Sequence, residues 1–152
     1  MGYMGRLVDR LEEARRNAFA AVEGMDDATL NIQPQGLQNT PGILLRHLLG
    51  SERYWIHQVV GGEDVRRDRE AEFDRGVPTS RRWLERELEA VATKTRQVLE
   101  SLPEHALDEV VEAQAGNRTL RLDKGSAVVR ALEHWAYHHG QLRLMRRLLM
   151  GG

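Results

Sequence analysis

The chain has 152 residues, which argues for one domain over 1–152, since a core of this size buries roughly two thirds of the unfolded surface. Hydrophobic residues at 41% supply a core, and 22 Lys and Arg against 23 Asp and Glu leave a net charge of −1. That balance excludes a disordered polyelectrolyte and any global attraction to nucleic acid or an acidic membrane. Cys is absent, so disulfides, thiolate nucleophiles and thiolate metal ligands are excluded together, and any metal ion must be held by His, carboxylate or water.

The opening Met1-Gly2-Tyr3-Met4-Gly5-Arg6 lacks an apolar secretory core, and Arg6 stands where a myristoylation signal has Ser or Thr, so a cytoplasmic protein is expected. Leu7, Leu11, Ala14, Ala18 and Val22 recur at helical steps and predict a first helix from about Tyr3 to Val22, closed by Gly24. The uncharged stretch 28–45 carries Asn31, Gln33, Pro34, Gln35, Gln38 and Asn39, which makes it unfit to span a bilayer. Thr40 then suits a helix cap and Pro41 a first turn, so a second helix is predicted to run to about Val60, before Gly61-Gly62.

The charged run from Glu63 to Pro78 reads as a solvated crossover with room for a short helix. Thr79-Ser80 starts a third helix whose stripe of Trp83, Leu84, Leu88, Val91, Thr95, Val98 and Leu99 faces a core until Pro103. From there to Leu122 no element is assigned. Asp123 caps a fourth helix that continues through Val128, Leu132, Trp135, Leu142 and Met145 to about Met150. Four long helices without a sheet predict an all-α four-helix bundle. Trp55, Trp83 and Trp135 read as core packing, and Arg143, Arg146 and Arg147 as a solvated helix end.

Six histidines fall at 47, 57, 105, 134, 138 and 139. His134 and His138 form an i, i+4 pair that a helix turns to one side, close enough to share an ion, on the inward stripe with Ala127, Ala131 and Met145. Trp135 stands where the zinc-protease signature requires Glu, so that signature is excluded. The best third ligand is His47, among Ile43, Leu44 and Leu48, with Gly50 letting another backbone approach. His57 lies ten residues on, about 15 Å along the axis, and is expected to line an approach and not to share the ion. His105 reads as a surface residue and His139 as rotated off the ligand face. The alternative is that His47, His134 and His138 are hydrogen-bonded core residues; three inward imidazoles are costly to bury unpartnered, which puts the metal reading level with that one.

Two segments carry a family resemblance. Asn39-Thr40-Pro41-Gly42-Ile43-Leu44-Leu45-Arg46-His47, with the residues on to Trp55, is similar to the second-helix pattern of the DinB/YfiT-like family, and His134-Trp135-Ala136-Tyr137-His138-His139-Gly140-Gln141-Leu142 resembles its closing H-x-x-x-H-x-G-Q. Many relatives have Arg at the position of His139. The resemblance implies an up-down-down-up four-helix bundle that often dimerises, with His47, His134 and His138 as the three ligands of a divalent ion. Zinc or nickel is the leading expectation, followed by manganese or iron. It further implies a small-molecule substrate, with S-transfer from a low-molecular-weight thiol of the bacillithiol or mycothiol type, in stress or detoxification, as the leading activity. The absence of Cys fits, since that nucleophile arrives with the cosubstrate. A metal-dependent hydrolase and a non-enzymatic stress-response module are the alternatives. Glu52 is a weak candidate base, because it points away from His47; Tyr54, His57, Tyr137 and Gln141 are candidates for a pocket wall or an outer shell, without assigned catalytic roles.

Overall fold

The computed structural model describes residues 2–151. In chain order the elements are α1 (Tyr3–Ala20), the single turn α2 (Asp27–Leu30), and α3 (Pro41–Glu52) continued by a π-helical stretch (Arg53–Val60). There follow the single turn α4 (Arg69–Glu72), α5 (Arg81–Glu100), a 3₁₀ segment (Glu104–Asp108), β1 (Val110–Ala115), β2 (Arg118–Asp123) and α6 (Lys124–Met150).

The predicted caps are formed. Thr40 Oγ1 accepts from the Ile43 N–H at 3.0 Å, Ser80 Oγ from Trp83 at 3.1 Å and Asp123 Oδ1 from Ser126 at 2.6 Å, each satisfying an amide with no partner inside its helix. Pro41 sits in the first turn of α3, where its missing N–H costs nothing. Beyond Glu52 the helix widens: the Gly61 N–H bonds the Ile56 carbonyl, five residues back, at 2.9 Å.

Helix α1 packs against α5 and α6, and so does α3 with its π continuation, which closes the four long segments into a ring. Two apolar clusters fill it. One gathers Leu11, Ile56, Leu99 and Ala131; the other gathers Ala18, Leu49, Val91 and Leu142. A polar belt lies between them, because Arg15, Glu52 and Thr95 each fall between members of the two clusters on their own helices. Glu52, 1% exposed, accepts from Arg15 Nε at 2.9 Å, from Trp135 Nε1 at 2.9 Å and from the Thr95 hydroxyl. These bonds offset the desolvation of a buried carboxylate.

The expectation of no sheet is corrected by an antiparallel hairpin pairing Val110 with Asp123 through to Ala115 with Arg118. Gly116 takes the positive φ of 64° that its two-residue loop with Asn117 requires. The hairpin lies in the stretch left unassigned, and its signal was there: Val111, Ala113 and Ala115 alternate with polar residues up to Gly116-Asn117. Only Ala113 is fully buried, so the pattern is short and weak. Among the described residues, no helix is long and apolar enough to cross a membrane.

Candidate metal centre

His47 reaches inward from α3 and meets His134 and His138, one turn apart on α6. His134 Nε2 lies 2.9 Å from His47 Nε2 and 3.0 Å from His138 Nε2, and the three ligand atoms lie within 4.8 Å of one another. Two of the imidazoles have their outer nitrogens held. His47 Nδ1 is 2.9 Å from Glu72 Oε1, and His138 Nδ1 is 2.5 Å from Gln141 Oε1. An ionised carboxylate only accepts, so the His47 proton sits on Nδ1, and bonding to the Gln141 oxygen does the same for His138. Both leave an Nε2 lone pair facing His134.

His134 Nε2 carries at most one proton and can answer only one of those lone pairs. At least one of the two short N···N contacts therefore brings acceptors together, which a shared cation resolves. Two nitrogens at about 2.0–2.1 Å from one ion lie about 2.8–3.4 Å apart at right-angled to tetrahedral geometry, so the contacts of 2.9 and 3.0 Å suit a divalent metal. The protonation states suit it as well. Burial, reinforced by His47, His138, Arg67 and Arg69, lowers His134 to about 3, and burial also depresses His138. Both are neutral near pH 7, the form a metal binds.

Glu72 comes from α4, inside the crossover. Arg46 of α3 donates to the backbone carbonyls of Glu72, Asp74 and Val77 at 3.1, 2.7 and 3.0 Å and so clamps this segment beside the helix. Arg67 then grips the Glu72 carboxylate through two bonds of 2.8 Å. Burial raises the Glu72 carboxyl, but the bonds from Arg67 and His47 outweigh it and hold the group below its ordinary value. The expectation of a wholly solvated crossover is thus corrected: its Glu72 is buried against the centre. Gly50 admits the carboxylate, a side chain where a backbone was expected.

One side of the centre opens. A cleft of about 610 Å³ reaches His47 and His134 between α6, the π-helical stretch and the hairpin. Tyr54, Trp55 and Tyr137 give it aromatic walls, Arg67, Arg69 and Arg130 give it positive charge, and Glu133 is the acidic residue on its lining. The hairpin contributes Gln114, whose N–H donates to the Tyr54 hydroxyl at 2.6 Å. Among the described residues no fourth His or carboxylate joins the cluster.

Gln141 stands behind a ligand, and Tyr54 and Tyr137 line the cleft; Trp55 is buried in the core, as expected, and also borders it. His57 does not line it: it is buried against α5, its Nε2 3.0 Å from Thr95 Oγ1. Burial, with Arg53 adding to the effect, lowers it to about 4. His105 is exposed, as expected, and His139 lies off the cluster. Glu52 spends its carboxylate on the polar belt and is not part of the cluster. Glu72, Arg67 and Glu133 were not found from sequence, because nothing in a run of alternating charges marks which members turn inward.

Fold and centre together define a helical bundle with a three-histidine cluster beside an open cleft. The profile of the DinB superfamily matches residues 10–142, and the chain belongs to that superfamily. Two solved structures share the fold. A conserved protein from Enterococcus faecalis is 19% identical, with a TM-score of 0.76 over 100% of this chain and 99% of that one. An uncharacterized protein from Clostridium difficile 630 is 10% identical, with a TM-score of 0.74 over 99% of each chain. No curated protein matches the chain.

Proposed function

We propose that this protein is a divalent-metal enzyme in which His47, His134 and His138 hold the ion and the cleft admits a small-molecule substrate. The observation that carries the reading is the convergence of three Nε2 atoms, two with their outer nitrogens already bonded, at the wall of an open cleft. A structural site is normally closed by four protein ligands, whereas three ligands and an accessible side suit catalysis. When bound, the ion supplies a positive charge that lowers the pKa of a donor atom brought to it.

The reaction we favour is S-transfer from a low-molecular-weight thiol to a small electrophile. It accords with family membership, with the absence of Cys and with a cleft that can take both a cosubstrate and an acceptor. Glu72 and Gln141 orient the imidazoles, and Tyr54 and Tyr137 wall the cleft beside them. Hydrolysis is a second reading, favoured by one observation: Glu133 lies on the cleft wall beside His134, where a general base could act.

Elemental analysis of untagged protein beside His134→Ala tests the centre. Near-stoichiometric metal, lost in the variant, is expected; no uptake from zinc, nickel, manganese or iron salts would overturn it. Assays with bacillithiol and mycothiol against electrophilic acceptors then test the reaction, and transferase activity that survives His47→Ala unchanged would rule this centre out as its source.

A further inference from the structure

Arg69 and Arg130 stand at the cleft with no carboxylate within ion-pair distance among the described residues. Each lies over an aromatic ring. The Arg130 guanidinium lies 4.8 Å from the Trp55 ring centre, and that of Arg69 lies 5.1 Å from the Phe73 ring centre. Stacking occupies the face of a guanidinium and leaves its N–H edge free, which is the edge that pairs with carboxylate or phosphate oxygens. Arg67 differs: its edge is spent on Glu72.

The charge arrangement is unusual beside a cation site. Two unpaired guanidiniums share a cleft with a cluster suited to a divalent ion, and the lining offers only Glu133 against them. Like charges gathered in one concave site repel unless an anion joins them. Beside them Tyr137, 66% accessible, offers an aromatic surface for a flat body.

We infer that the cleft takes a small organic anion, its carboxylate or phosphate group held by Arg69 and Arg130 and its apolar body laid against Tyr137. This rests on reading the cleft as the substrate side of the centre, but not on the ion being present. Glu133 opposes the anion and turns its acidic group toward the arginines.

Calorimetric titration of the full chain, metal-free and metal-loaded, with benzoate, phenylphosphonate and neutral benzamide tests the inference. At least one anion is expected to bind roughly tenfold more tightly than benzamide in both forms, and the tighter one identifies the acidic group. Arg130→Gln and Arg69→Gln should each weaken that anion several-fold without changing metal content, Glu133→Gln should tighten it, and Arg16→Gln, outside the cleft, should change nothing. Equal affinity for benzamide and both anions, or anion binding indifferent to both cleft arginine substitutions, would overturn the proposal. A protein that takes up no metal but still selects anions through Arg130 would refute the metal centre alone. One that loads metal without such selection would refute this inference alone.

Discussion

Gly50 and Glu72 occupy one space: a Cβ added to Gly50 would stand 2.6 Å from the Glu72 carboxyl carbon and closer still to Oε2. The glycine lies one helical turn beyond His47, and its missing side chain is what lets the carboxylate reach His47 Nδ1 at 2.9 Å. Gly50→Ala should therefore expel Glu72 and act like Glu72→Ala. Each is expected to weaken metal binding by roughly 10–100-fold while the helical circular dichroism stays unchanged, as measured by competition with a chromogenic chelator. Full affinity in Gly50→Ala would show that Glu72 does not orient His47.

Gln141 holds His138 through a neutral oxygen, a weaker acceptor than the Glu72 carboxylate. Gln141→Leu should lower metal affinity in the same assay, but by less than Glu72→Ala, since a charge-assisted bond is about twice as strong as a neutral one. A larger loss in Gln141→Leu would reverse that order.

Glu52 anchors the polar belt by accepting from Arg15, Thr95 and Trp135. Glu52→Ala leaves the buried Arg15 cation without its carboxylate and should destabilise the fold by about 3–5 kcal/mol in urea denaturation. Glu52→Gln keeps the shape and the acceptor oxygen but loses the charge, so its cost should be smaller. A change below about 1 kcal/mol in Glu52→Ala would mean that the belt contributes little to stability.

Stability should fall on acidification. Burial lowers His57 from 6.5 to about 4 and His134 from 6.5 to about 3, so between these limits the unfolded chain binds protons that the folded one refuses. Stability then rises with pH through that window. It is complete above about pH 6.5 and is lost progressively as pH falls toward 4 and then 3. For metal-free protein, unfolding free energies from urea titrations at pH 7 and pH 5 should differ by roughly 1–3 kcal/mol in favour of pH 7. His57→Gln should flatten part of that slope. Equal stability at both pH values would contradict the neutral, buried state of these imidazoles.

The helical frame was legible because its signals are local. Apolar periodicity, Thr40, Ser80 and Asp123 at the caps, and Pro41 in a first turn each act within a few residues, and the structure forms every one of these caps. His134 and His138 were legible as a pair because helical geometry puts i and i+4 on one side. The hairpin was missed, since a pattern of small residues with little burial carries almost no periodic signal.

What the sequence determined by itself, then, was the helical content, the caps and the inward pairing of two histidines, all properties of short-range backbone geometry. Only the tertiary structure decided the rest. It selected Glu72 from a run of alternating charges, because Arg46 clamps the crossover against α3 and Gly50 leaves room for a carboxylate. It also set the hairpin and the π-helical stretch around one side of the histidines, making Trp55 and Tyr54 walls of a cleft. Those outcomes depend on contacts between residues far apart in the chain, whose energies are settled only when the helices pack.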